Sequence, residues 1–394
     1  MFLVFFFTNL TCAILPIYAT KIAGTLRLFG KSSEFLAAIP ISAEVFSGAL
    51  FSAIGSKIIR KLGSKKSVIL SSLCFTAGLA VRIVPNLFTL TLGSLILGMG
   101  WGIQLLMVNI QIANLPEHEK DTGYAYYNIA SLAGANSAVV LGGFLVQWVS
   151  YGVLFAITAV SSVILFFVSR KYLISEDVPQ EEELTAEEMP GKKMNPIRFV
   201  FNPRVICFFL FMLIPLLIGG YFLYYMFPII GSEWGLSETY IGYAYVLNGF
   251  FAVALGKTAT QFFSRGKRKP LGLFTAVVFY GAAFFLVSYF QNIESLLVAL
   301  VILGIADSFG IPLLTNYYTD IKAVEHYGYD RALSVYSLFE NGAQSLGSFV
   351  FGIVLTVGVA KGLRTMIMVM GVLAVCFLVS VLFCMRKEKK TGGA

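Results

Sequence analysis

Apolar residues run along this chain in stretches of about twenty, the length an α-helix needs to cross a ~30 Å hydrocarbon core. Short polar segments separate them. Twelve such stretches can be drawn, at 1–22, 34–58, 67–88, 90–115, 122–148, 150–170, 203–230, 237–263, 270–290, 293–320, 330–358 and 361–385. The longest polar segment, running from Ser175 to Pro196, is acidic and then basic, with too little apolar surface to fold alone. The pattern predicts an all-α membrane protein: a six-helix half over 1–170, a linker over 171–202, a second half over 203–385 and a tail over 386–394.

Composition agrees. Only 13% of residues are charged, 57% are hydrophobic and the mean hydropathy is +0.80, whereas soluble domains carry about 25% charge. The five cysteines all fall within apolar stretches and none shows a CxxC or CxxH spacing, so neither a zinc site nor a disulfide framework is indicated. No nucleotide loop, metal spacing or nucleophile motif is found; the reading is a protein that is not an enzyme, with no catalytic residues, cofactor or metal.

The net charge of +8 comes mostly from basic loops, which report orientation in a membrane rather than nucleic-acid binding. Lys57, Arg60, Lys61, Lys65 and Lys66 form one such loop. Arg265, Lys267, Arg268 and Lys269 form another, and Arg386, Lys387, Lys389 and Lys390 follow the last span. With twelve spans all three lie on one side, together with the linker, so both termini are expected in the cytoplasm and the protein in the cytoplasmic membrane. Lys21, Arg27 and Lys31 oppose this but are outnumbered. Met1 opens into the first span without a basic segment before it, which suits a retained helix better than a signal peptide.

The two halves echo each other. Glu117-His118 recurs as Glu325-His326, and Gly134-Ala135-Asn136-Ser137 recurs as Gly342-Ala343-Gln344-Ser345, both 208 residues later. Leu97-Gly98 recurs as Leu303-Gly304, and Gly63-Ser64-Lys65-Lys66 aligns with Gly266-Lys267-Arg268-Lys269. Four matches in order indicate duplication of a six-helix unit. Duplication also accounts for His118 and His326 without a metal.

Several motifs carry a family resemblance. The loop after the second span, Ser56 to Lys66, is similar to Gly-x-x-x-Asp-Arg-x-Gly-Arg-Lys: Gly63, Lys65 and Lys66 keep the pattern, the first glycine is shifted to Gly55, and Arg60 stands at the acidic position. The fourth span is similar to Arg-x-x-x-Gly-x-Gly through Gly98 and Gly100, with Ser94 in place of the arginine. The fifth, from Gly134 to Gly143, is similar to the exporter motif Gly-x-x-x-Gly-Pro-x-x-Gly-Gly without its Gly-Pro pair. The tenth, around Asp307 and Pro312, resembles a segment of drug:proton antiporters. Over essentially its whole length the chain therefore resembles the major facilitator superfamily. The resemblance implies two pseudo-symmetric six-helix bundles with a substrate site near the midplane, and a conformational loop made of Gly55, Arg60, Gly63, Lys65 and Lys66. It also implies a monomer in the lipid bilayer that handles a small molecule, with the proton as coupling ion.

Candidate chemistry lies with carboxylates in apolar surroundings. Glu44, Asp307 and Glu340 sit about ten to fourteen residues inside their spans, near the midplane at ~1.5 Å per residue. A charge there costs at least ~2.5 kcal/mol, which makes such residues functional candidates. Desolvation favours the protonated form of a carboxyl group, so each could exchange a proton or pair with a cationic or amphipathic substrate. Alternatively, each could satisfy a neighbouring helix. No basic residue is read at comparable depth: Arg82, Lys361 and Arg364 are placed near the outer surface, and Lys257 near the inner one. Tyr336, Glu340 and Gln344 share a helix face, echoed by Asn128, Leu132 and Asn136. Gln104, Asn109, Asn316, Tyr221 and Tyr225 complete the expected cavity, the two tyrosines beside a Gly219-Gly220 pair read as a bend. The leading expectation is proton-coupled export by alternating access. An importer or uncoupled facilitator of the same fold, and a non-transporting membrane sensor or anchor, are the alternatives.

Overall fold

The computed structural model describes residues 1–24, 32–113, 115–172, 196–264 and 268–391. Its helices are α1 (Phe2–Asn9), α2 (Leu15–Ala23), α3 (Ser33–Leu62), α4 (Ser64–Val81), α5 (Leu87–Ala113) and α6 (Glu117–Leu145). They continue with α7 (Tyr151–Tyr172), α8 (Pro196–Val200), α9 (Pro203–Phe208), α10 (Ile214–Tyr221), α11 (Phe227–Glu233) and α12 (Glu238–Ser264). The last are α13 (Lys269–Phe290), α14 (Ile293–Thr319), α15 (Lys322–Tyr327), α16 (Tyr329–Val357) and α17 (Val359–Thr391). Helix occupies every predicted span, and no strand is found among the described residues. Among the described residues, eight helical segments are long and apolar enough to cross a membrane. The segment 173–195, the residues Arg27, Lys31, Arg265, Gly266 and Lys267, and the side chains of Arg60, His118 and Asn128 lie outside the described residues.

Local chemistry sets the boundaries. Ser32 caps α3 by accepting from the Phe35 amide at 3.3 Å. Gly63 ends the same helix with φ of 79°, a conformation that disfavours a side chain, and α4 starts immediately after it. Asn292 and Ser295 form a capping box at the start of α14. α17 extends beyond the expected span end at 385 to Thr391, so most of the segment read as a tail continues the helix. Within the expected linker, Pro196–Val200 is helical.

The first predicted span is interrupted, and the seventh, expected to bend, runs continuously but departs from α-helical geometry. In the first, Pro16 stands in the opening turn of α2 and has no N–H to offer the Cys12 carbonyl; residues 10–14 form a turn. In the seventh, two π-helical segments occur, Phe209–Leu213 and Phe222–Met226. Pro215 and Pro228 follow them. Each proline leaves the carbonyl four residues earlier, of Phe211 or Tyr224, without its α-helical donor, and the wider π turn absorbs the missing bond. The bend expected at Gly219-Gly220 is thus produced on either side of it.

Contacts divide the chain into two compact units. One comprises Met1–Thr185 and Tyr224–Val246, the other Ala186–Leu223 and Leu247–Ala394. In the first unit α5 packs on α3 and α4, α6 on α1, and α7 on α4. Its core includes Val4, Phe7, Phe75, Leu79 and Leu97. In the second unit α13 packs on α14 and α17, and α10 on α16. There the rings of Phe222, Phe284 and Phe351 meet, with Phe222 and Phe284 centroids 5.3 Å apart. Lipid is as apolar as these side chains, so helix association in a bilayer rests on close packing and interhelical hydrogen bonds.

Candidate functional site

The three carboxylates are held by different surroundings. Asp307 lies midway along α14 and is half-buried. The Tyr280 hydroxyl from α13 donates to its carboxylate. This tyrosine fits because Gly219 and Gly220 carry no side chain: a Cβ at Gly219 would lie 3.1 Å from the Tyr280 ring, and one at Gly220 would lie 3.3 Å from its hydroxyl. The glycine pair of the seventh span therefore makes room for the group that holds Asp307. Sequence reading missed Tyr280, because 27 residues separate donor and acceptor. Tyr280→Phe is expected to lower stability by about 0.5–1.5 kcal/mol, the usual net contribution of one hydrogen bond, as thermal unfolding in detergent would measure. Asp307→Asn keeps an acceptor for the same hydroxyl and should unfold close to the native protein.

Glu340 is half-buried on α16, with the buried Tyr336 one turn earlier close enough to sense its charge. The Tyr336 hydroxyl accepts from Thr315 at 3.3 Å and its ring meets Tyr318 at 5.2 Å. Ion pairs with both members described are Glu44–Arg82 and Lys269–Asp320; Glu340 and Asp307 belong to neither.

Glu44 departs from expectation. Its carboxylate is paired with Arg82, which stands just past the end of α4. Arg82 is fully buried rather than at the outer surface. One guanidinium nitrogen serves both the Glu44 carboxylate and, at 2.5 Å, the Ser94 hydroxyl on α5. The reading of three carboxylates without basic partners is thus corrected for Glu44. Ser94, where the resembled motif has arginine, receives a guanidinium from another helix.

The remaining candidates scatter. Asn136 lines an open cavity of about 540 Å³ with Ser137, Val140 and Phe144 of α6 and Tyr243 and Val246 of α12, a volume in the range of small-molecule sites. Gln104 is fully buried, its amide 3.2 Å from the Ser72 hydroxyl of α4. Asn109 is exposed, while Gln344 and Asn316 are half-buried. The Asn316 carbonyl accepts from Lys269 at 3.1 Å. Tyr221 packs over Gly347, where a Cβ would approach its ring to 2.6 Å. Tyr225 is fully buried and donates to the Glu34 carbonyl, so it packs the first unit, and Tyr221 belongs to the second. The segment expected to form the conformational loop is almost wholly helical: Gly55 lies within α3 and packs against Leu106, Lys65 and Lys66 stand in the first turn of α4, and Gly63 alone separates the two helices. Gly63, Lys65 and Lys66 are exposed.

The sequence profile of the Major Facilitator Superfamily matches residues 1–348 and 217–394. The chain belongs to this superfamily. Among solved structures it is similar to the nucleoside transporter NupG, at a TM-score of 0.71 and 16% identity, covering 96% of this chain and 97% of that one. It is similar also to the peptide transporter POT in complex with sulfate, at 0.71 and 16%, covering 98% and 92%. A POT family transporter in complex with 5-aminolevulinic acid gives 0.68 at 13% identity, covering 95% of each chain. At these identities the likeness establishes the fold. No curated protein matches. The chain is thus a multi-pass, all-α membrane protein of the major facilitator fold.

Proposed function

We propose that this major facilitator protein is a secondary transporter that moves a small molecule across the cytoplasmic membrane by alternating access, coupled to protons and in the direction of export. The observation that carries the reading is the placement of Asp307 inside α14, a helix long and apolar enough to cross a membrane, and of Glu340 midway along α16, with no described cation paired to either. An intramembrane carboxylate is costly and by default functional, and it can hold a proton as a neutral group. Superfamily membership supports transport. The glycines of α6 that resemble the exporter motif support the direction. The guanidinium delivered to Ser94 weakens the case for an uncoupled facilitator, because the position where the motif has arginine does not lack a cation. In this reading both termini are cytoplasmic, 171–202 links the halves, the working unit is a monomer, and the cavity at Asn136 is one place for the substrate.

The test is proton-driven flux in vesicles reconstituted with the native protein, Asp307→Asn or Glu340→Gln. Loss of at least about tenfold is expected in one or both, since a positioned proton-transfer group contributes ~10²–10⁴-fold where it acts. Undiminished proton-driven flux in both variants overturns the coupling assignment. Flux that ignores collapse of the gradient in the native protein would instead favour a facilitator.

A further inference from the structure

The first unit contains a buried cation to which the coupling scheme assigns no ligand. Arg82 has a side-chain exposure of 1%, against 16% for its partner Glu44. It is the one Lys or Arg that is buried among the described residues. Room for it is made by Gly93, where a Cβ would lie 2.8 Å from the Arg82 Cγ. A guanidinium has five donors in a rigid fork and binds a carboxylate best through two parallel bonds. This one falls short of that. Glu44 and Ser94 share a single terminal nitrogen, and the buried Nε meets no acceptor among the described residues.

Other polar groups nearby are also unsatisfied. The turn between α1 and α2 carries Thr11, whose hydroxyl is buried without a partner, and Cys12, which lies close enough to Glu44 and Arg82 to sense both charges. Tyr245 of α12 is close enough to Cys12 for the two to interact electrostatically, and its hydroxyl is buried without a partner among the described residues. A buried donor left unmade costs ~1–3 kcal/mol. With its Nε unmatched and one terminal nitrogen shared by two partners, the guanidinium has more binding capacity than Glu44 fills.

We propose that Arg82 binds a carboxylate group of the transported molecule, and that Glu44 occupies the guanidinium until that carboxylate displaces it. Glu44, the more exposed member of the pair, swings away. The incoming group takes the Nε edge together with a terminal nitrogen, in the two-bond geometry that Glu44 does not make. The substrate class is a small organic acid, in place of the cationic or amphipathic molecule that charge complementarity to the carboxylates suggested. This inference rests on the transporter reading for its biological use, but the binding itself can be measured without transport.

The experiment is thermal unfolding of the purified full chain in detergent at matched ionic strength. Acetate, benzoate and N-benzoylglycine are each compared with the corresponding primary amide. At least one acid is expected to raise the unfolding temperature of the native protein while its amide does not. In Glu44→Gln the competitor is gone and the guanidinium lacks a counter-charge, so the same acid should bind about tenfold tighter, at the low end of couplings between close charge pairs. Arg82→Gln, where it folds, should lose the shift; where it does not fold, the Glu44→Gln comparison decides alone. Equal effects of acids and amides, or no tightening in Glu44→Gln, overturn the proposal and leave a structural ion pair. Asp307→Asn separates the two readings. It should keep the acid-induced shift, as should Glu340→Gln, so full proton-driven flux in both variants removes the coupling scheme while the carboxylate site stands.

Discussion

Replacing Arg82 by methionine is expected to destabilise the protein by about 3–5 kcal/mol, the cost of removing one partner from a buried ion pair. Glu44 would remain in the interior of the first unit with its only ionic partner among the described residues gone, and the Ser94 hydroxyl would lose its donor as well. The double variant Glu44→Met with Arg82→Met should recover most of the loss, because an apolar pair of similar volume often matches or exceeds a buried ion pair in stability. Thermal unfolding of the two single variants and the double variant in detergent gives the answer. Recovery in the double variant combined with loss of acid binding would mean that the pair is kept for the site rather than for stability. A double variant no better than the single ones would count against this account of the pair.

Gly98→Val should be the more severe change, with a loss of about 3 kcal/mol or more from overpacking. Gly98 of α5 faces the backbone of α3, and a Cβ there would stand 2.9 Å from the Gly48 amide nitrogen. Gly102, one turn later, meets the same helix, with a Cβ 3.0 Å from the Ser52 nitrogen. Small residues four apart let two membrane helices approach closely, and in lipid that approach is a principal source of association. A valine would push α3 away from α5, and with it the Glu44 backbone from Ser94. Size-exclusion chromatography of detergent extracts should show little monodisperse Gly98→Val protein, with Gly98→Ala intermediate. A native-like peak and unfolding temperature for the valine variant would contradict the packing described here.

Sequence reading is strongest where a residue's position depends on its own helix. Asp307 and Glu340 stand out because they interrupt apolar runs. Gly63 is legible because a turn with positive φ selects glycine. Arg82 failed that test. It lies at the end of an apolar run, which suggested a surface residue, yet helical side chains lean back toward the N-terminus and arginine is long enough to return its head group to the interior. Tyr221 and Tyr225 failed for another reason. Four residues apart in a regular helix they would share a face, but the π-helical segment from Phe222 to Met226 lies between them, and they belong to different compact units.

The first span breaks at the turn over residues 10–14, whereas the seventh runs on from Pro203 to Glu233 through its two π-helical segments. Pro16, Pro215 and Pro228 were visible beforehand, but how each helix absorbs a missing donor was not.

By itself the sequence determined that the chain spans a membrane as helices, where most of its apolar runs lie, and which carboxylates stand within them. These follow from local rules of hydropathy, length and charge. Only the tertiary structure decided which group each carboxylate meets: Tyr280 for Asp307, Arg82 for Glu44, and no described cation for Glu340. Those pairings join residues tens of positions apart, through spaces opened by glycines on a third helix or on the partner helix, and no local pattern encodes them.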